Sequence, residues 1–176
     1  MSFNLNQDKC YVMGILNVTP DSFFDGGKYS TLDKIMFQVD KMINEGADIV
    51  DIGGESSRPG SLRISVQEEL DRVLPVVSKI RENFDIPLSI DSMKSDVIRE
   101  LLPFKIDIIN DISSLSDPNI INILTASDIY ICLMHMSEDP LTMQDNPDYS
   151  DVTQDVLLYL DKKSQYCIEH GVNPKK

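Results

Sequence analysis

Short apolar runs and longer amphipathic segments take turns along this chain. Tyr11–Leu16 is rich in apolar residues and too short for a helix, which predicts a buried strand. Asn17 closes that run, and Pro20, Gly26 and Gly27 keep the next segment out of regular structure. Leu32, Ile35, Met36, Val39, Met42 and Ile43 then share one face of a helix predicted from about Ser30 to Gly46. Asp48–Gly53 reads as a second strand. The next helix opens at Ser65, with Glu68 placed to complete a capping box, and turns Val66, Leu70, Val73, Leu74 and Val77 inward. Pro75 inside it predicts a kink or an early loosening. Pro87–Asp91 is a third strand, followed by a short helix capped by Ser95. Ile106–Asp111 is a fourth, followed by a helix over about Asp117–Ala126. Ile129–Met136 is the fifth. Its loop passes Pro140 and Pro147 to a helix from about Asp151 to His170, stopped by Gly171.

Strand and helix thus alternate, and the strands read as apolar on both faces. That pattern predicts an α/β protein with a parallel sheet and helical crossovers. Two architectures fit: a doubly wound sheet, or part of a TIM-type (β/α)8 barrel. A complete barrel takes roughly 250 residues. The 176 residues hold about five of its eight βα units and stop where a sixth strand would begin. The expectation is one domain over residues 1–176, C-terminally incomplete as a barrel, with no linker, repeat or low-complexity tract.

Composition narrows the function. Apolar residues make up 41% of the chain, enough for a core, yet no stretch is suited to cross a membrane. Sixteen basic against 29 acidic side chains give a net charge of −13, which argues against a nucleic-acid surface. It also means that an anionic ligand needs a local cluster of donors, because the overall field repels it. The N-terminus has no secretory pattern. Cys10, Cys132 and Cys167 are widely spaced and match no metal motif, so they read as buried thiols in a reduced, cytoplasmic setting.

Polar residues gather where the predicted strands end: Asn17, the loop after Gly53, Asp91, the Asn110–Asp111 pair, and His135. A barrel active site draws its groups from the C-terminal ends of several strands in this way. In Gly53–Ser61, GGESSRPGS, glycines free backbone N–H groups to face an anion, and Arg58 offers a planar fork for phosphate oxygens. The plainer alternative is a surface loop with a solvated arginine. Asp91 can accept two parallel N–H bonds from an amidine-like edge, such as an aminopyrimidinone presents. Asn110 can donate and accept at a mixed polar edge, or simply form a turn. Asp111 can hold either a ligand or a neighbouring loop. His135, in an apolar strand, reads as a hydrogen-bonded structural residue, and His170 as a surface residue in the last turn of a helix. Neither has the companions of a zinc site.

MGILNVTPDSFFDGG (Met13–Gly27), DIGGESSRPGS, LSIDSMK, IINDISSL and LMHM occur in the order found in the dihydropteroate synthases, and the chain closely resembles that family from Tyr11 to its last helix. The resemblance implies a TIM-type barrel and a transferase of folate biosynthesis. Such an enzyme condenses 6-hydroxymethyl-7,8-dihydropterin diphosphate with p-aminobenzoate, giving 7,8-dihydropteroate and pyrophosphate. By motif position it implies a magnesium ligand at Asn17, working alongside diphosphate oxygens, as suits a hard octahedral cation. It implies that Ser57 and Arg58 meet the diphosphate or help order the closed site, that Asp91 and Asn110 contact the pterin, and that Met136 flanks the ring. Phe23 and Asp25 belong to the loop that closes over p-aminobenzoate, and Asp25 and Arg58 are the implied catalytic pair. Phe24 stands where the family usually has serine, and Ser57 where threonine is commoner. The family's later strands supply an aspartate, a lysine, an arginine and a histidine that the 176 residues do not include. The resemblance further implies small-molecule partners, no nucleic acid or membrane, and a homodimer in the full-length family. Two other readings stand beside it: an inactive remnant or partner-dependent half-barrel, and a pterin-binding methyltransferase domain.

Overall fold

The computed structural model of the chain describes residues 3–6, 8–19, 31–56, 61–136 and 149–176. In chain order the elements are β1 (Met13–Asn17), α1 (Thr31–Asn44), β2 (Ile49–Gly53), α2 (Val66–Asn83), β3 (Leu88–Asp91), α3 (Ser95–Leu101), β4 (Ile108–Asp111), α4 (Asn119–Thr125), β5 (Tyr130–Leu133) and α5 (Val152–Glu169), with a 3-10 turn at Leu102–Phe104. The strands form one sheet in the order β1-β2-β3-β4-β5, every neighbouring pair parallel. That order decides between the two architectures. A doubly wound sheet reverses its strand order at a switch point, whereas a barrel adds each strand beside the one before it. The fold is a five-stranded portion of a (β/α)8 barrel.

Successive side chains of a strand point to opposite faces of the sheet. One face carries Leu16, Val50, Ile52, Leu88, Ile90 and Ile109, buried against Val39, Val73, Val77, Ile80, Ile98, Leu101 and Ile120 of the helices. This is the main core, and it explains why the strands read as continuous apolar runs. The opposite face, the interior of the barrel, is divided along its length. Near its N-terminal end, Ile49, Ile108 and Tyr130 pack with Phe3 and Tyr11. Phe3 meets Tyr11 and Tyr130 edge-on, with centroids 6.1 and 5.8 Å apart. The Tyr130 hydroxyl donates to Asn4 Oδ1 at 2.7 Å and accepts the Leu5 N–H at 3.1 Å. Toward the C-terminal end the same face becomes polar.

Several expectations need correction. Asn17 does not break the first strand: it is its last residue, paired with Gly53 of β2. α2 does not loosen early at Pro75 but continues to Asn83, with the proline on its exposed side. Ser95 does not cap α3. It is the first residue of that helix and buried, and its N–H is met by Asp117 Oδ2 at 2.9 Å from the following unit. β5 ends at Leu133, so His135 lies beyond it. Of the three thiols only Cys167 is buried; Cys10 and Cys132 are exposed.

Candidate active site

Parallel pairing places one residue from each strand on a level across the barrel interior: Asn17 beside Gly53, Gly53 beside Asp91, Asp91 beside Asn110, and Asn110 beside Cys132. Four of these five are polar or ionisable. Because Gly53 has no side chain, it opens a notch in the middle of the row. A Cβ there would lie 3.3 Å from Asp91 Oδ2 and 3.5 Å from Asn17 Oδ1. Below the row, β2 and β3 add Asp51 and Ser89, which pair with each other in register.

The electrostatics of the row follow from crowding acids onto one partly buried face. Burial, then the charges of Asp51, Glu69, Asp111 and Glu55, push the Asp91 carboxyl up to about 7. Burial also raises Asp51, with the polar groups of Ser89 and Asn110 opposing it. Burial and the same two aspartates, Asp51 and Asp91, raise the Cys132 thiol. Asn110 Nδ2 donates to Asp51 Oδ2 at 3.1 Å. Among the described residues, Asp51 Oδ1, Ser89 Oγ and Glu69 Oε1 are buried without hydrogen-bond partners.

Lysine enters this acidic neighbourhood from the side. Lys94, just before α3, pairs with Glu55 after β2 and with Glu69 of α2, the latter at 2.5 Å. Arg63 reaches Glu55 at 3.7 Å. Arg72 of α2 donates to the Gly54 carbonyl at 2.8 Å. Together these hold the start of the GGESSRPGS segment, Gly54 and Glu55, against α2 and the β3 exit. The remaining exits are joined in turn. Asp117 receives the Ser95 N–H, and the Ser114 hydroxyl donates to Met134 O at 2.5 Å while accepting the Met134 N–H at 2.9 Å. Lys163 of α5 donates to Ser114 O at 2.6 Å.

Asn17, Asp91 and Asn110 therefore share one row, as their strand-end positions suggested. Met136 is half-buried beyond the end of β5. Phe23, Asp25, Ser57 and Arg58 lie outside the described residues. Asp111 resolves in favour of the loop: its Oδ1 accepts the Ser113 N–H at 2.9 Å and hydroxyl at 2.6 Å, and its Oδ2 the Leu115 N–H at 2.7 Å. His135 packs against the rings of Tyr159 and Tyr149, with centroids 4.9 and 5.8 Å away. The fifth strand's contribution to the row is Cys132. Asp51, Ser89, Cys132 and Lys94 went unread in the sequence. Strand alternation held the signal for two of them, since Asp51 precedes Gly53 by two positions and Ser89 precedes Asp91 by two.

A larger cleft of about 1030 Å³ lies at the other end of the strands, lined by Phe3, Arg81, Phe84, Phe104 and Asp107 among others. Its arginine is already engaged. Arg81 donates to the carbonyls of Phe104, Ile86 and Lys105 and pairs with Asp107 at 2.9 Å. That leaves the carboxylate row as the chemical site.

A family profile described as pterin binding enzyme matches residues 13–176. The chain belongs to the pterin-binding enzyme family. It is 50% identical to a dihydropteroate synthase of Haemophilus influenzae over 161 residues, covering 92% of this chain and 58% of that protein. It is 46% identical to the Escherichia coli dihydropteroate synthase over 166 residues, 94% of this chain and 59% of the relative. Among solved structures, a Yersinia pestis dihydropteroate synthase in complex with a sulfonamide drug superposes with a TM-score of 0.87 at 42% identity, covering 97% of this chain and 62% of that one. A Burkholderia cenocepacia dihydropteroate synthase complexed with 7,8-dihydropteroate gives 0.84 at 40% identity, with 98% and 58% covered. The chain thus spans about 58% of the length of the curated relatives it matches. Among the described residues of this family member, no helix is long and apolar enough to cross a membrane.

Proposed function

We propose that this pterin-binding family member supplies the pterin and magnesium side of a dihydropteroate synthase site, in a transferase of folate biosynthesis. The observation that carries this reading is the level row of Asn17, Asp91 and Asn110 around the Gly53 notch, with Asp91 mostly buried among other acids. A buried carboxylate beside an amide suits a flat heterocycle whose edge offers N–H donors. Identities of 46 to 50% with dihydropteroate synthases favour a diphosphate-bearing pterin over a methyl-folate.

The residues present fit magnesium. Asn17 Oδ1 is a hard, neutral oxygen at the open notch, and magnesium takes few protein ligands while keeping waters and phosphate oxygens. Among the described residues, no cluster of three or more His, Cys, Asp or Glu side chains competes for it. Bound there beside Asn17, the ion would neutralise charge on a diphosphate group. Asp91 and Asn110 hold the ring, and Met136 flanks it. Ser57 and Arg58 receive the diphosphate, and Arg58 stabilises the negative charge of the leaving pyrophosphate. Phe23 and Asp25 close over the aminobenzoate, with Asp25 as the counter-charge to the electron-poor carbon that its amine attacks. We assign residues 1–176 to a single pterin-binding domain that works as part of a larger barrel, in a cytoplasmic homodimer. Ile15, apolar and 65% exposed on the interior face, supports that larger barrel.

Calorimetric titration with 6-hydroxymethylpterin tests the reading. Asp91→Ala is expected to weaken binding by about tenfold or more, the scale of a lost charge-assisted bond. Unchanged affinity in the folded variant would sink the assignment. Since the ionised carboxylate accepts the N–H pair, affinity is expected to rise with pH through about 7. Turnover by the 176-residue chain alone is expected to be negligible, and a rate near that of an intact synthase would refute that expectation.

A further inference from the structure

Asp51 has no part in the reading above, yet it is a buried acid directly beneath the row. It is 5% exposed and lies two positions before Gly53, on the interior face of β2. Its register partner is Ser89, fully buried and two positions before Asp91. Asp51 and Ser89 therefore form a floor beneath Asp91 and Asn110. From that floor Asp51 Oδ2 takes one N–H of the Asn110 amide across the intervening strand, at 3.1 Å. Among the described residues, Asp51 Oδ1 and Ser89 Oγ are left without partners. Unpartnered buried polar atoms are rare in native proteins, and they mark places where water or a ligand belongs.

The direction of the Asn110 bond matters. An amide has a donor end and an acceptor end, and it can turn over to suit its surroundings. A carboxylate oxygen below it attracts only the donor end. The grip of Asp51 thereby keeps the Asn110 nitrogen toward the floor and leaves its Oδ1 for whatever lies in the row, beside the Asp91 carboxylate.

We propose that Asp51 is a positioning residue that fixes the sense of the Asn110 amide, so that Asn110 Oδ1 and the Asp91 carboxylate form an acceptor pair selecting an amino-bearing pyrimidinone edge over an oxo-bearing one. This rests on the pterin reading of the site and adds what sets its selectivity. A ring with oxo in place of the amino group would bring an acceptor against acceptors, an arrangement that costs far more than a missing contact.

The test has a ligand-free part and a ligand part, both on the 176-residue chain. In the free protein, the Asn110 side-chain amide protons, followed by ¹⁵N NMR, are expected to exchange slowly with solvent. Asp51→Ala is expected to remove that protection, and Asp51→Asn, whose own amide oxygen still accepts, to keep it. With ligand, 6-hydroxymethylpterin is expected to bind about tenfold more tightly than 6-hydroxymethyllumazine, its 2-oxo counterpart. Asp51→Ala is expected to shrink that preference to about threefold or less, and Asp51→Asn to restore it. Asp51→Val, which suits a buried strand and cannot accept, replaces the alanine variant should that fail to fold. An unchanged preference in the folded alanine or valine variant, or fast amide exchange in the wild type, overturns the positioning role while leaving the pterin reading intact. Absence of pterin binding by the wild type overturns both, and a protected Asn110 amide in that case locates the error in the ligand.

Discussion

The two ends of the barrel interior are built from the same strands and could hardly differ more. At the N-terminal end Ile49, Ile108 and Tyr130 are closed over by Phe3 and Tyr11, and the Tyr130 hydroxyl is bonded on both sides. At the C-terminal end Asp91, Asp51 and Cys132 are crowded together with their proton affinities raised, and buried oxygens lack partners among the described residues. One end is stable because its groups satisfy each other. The other is kept unsatisfied, and this is where a barrel places its chemistry.

The contrast can be broken most forcefully at Lys94. Lys94→Met would leave Glu69, 1% exposed, without its cation, and Glu55 with Arg63 at 3.7 Å. Losing one partner of a buried pair costs about 3–5 kcal/mol, so urea unfolding should show a loss of that order. Adding Glu69→Gln should return part of it. A loss under about 1 kcal/mol would mean that this end is not held by charge.

Asp91→Asn should act in the opposite direction. The native carboxyl keeps its proton up to about 7, while the unfolded one releases it near about 3.9. The wild type therefore loses stability as pH rises from about 4 to about 7 and is level above that. Asparagine removes the loss, so the variant should be more stable by about 2–4 kcal/mol at pH about 8, with the advantage fading toward pH about 4. Thermal melts across this range check both size and sign. A flat difference with pH would show that Asp91 is not strained by its neighbours.

Smaller effects sharpen the same contrast. A Cβ on Gly54 would sit 2.7 Å from Val73 Cγ1, so Gly54→Ala should cost about 1–3 kcal/mol by overpacking. Tyr130→Phe removes the hydroxyl that bonds Asn4 and Leu5 and should cost about 1 kcal/mol. It should leave pterin affinity untouched, whereas a weakened titration would show that the two ends are coupled.

The alternation of strand and helix, and the strand ends at Asn17, Asp91 and Asn110, were legible because each is a local event: an apolar run stops and a polar residue follows. Strand order was not, since a doubly wound sheet and a barrel share the same local pattern and differ only in which strands become neighbours. Asp51 was hidden inside a run that reads as buried throughout. Cys132 counts as apolar in any hydropathy pattern, and the apolar LMHM segment drew the fifth strand past its end at Leu133. The support of α3 was invisible for another reason. Its acceptor, Asp117, comes from 22 residues further on, across a loop, where no capping pattern reaches.

The strand exits are sewn to one another in sequence: Glu55 to Lys94, Ser95 to Asp117, Ser114 to Met134. Loops that are free to wander must surrender that freedom when a ligand arrives, and affinity falls by the entropy lost. Here the ordering is completed during folding, before any ligand is present. On the proposed reading, a flat ring entering between β2 and β5 meets walls already joined to one another, so the energy of each new hydrogen bond goes into holding the ring.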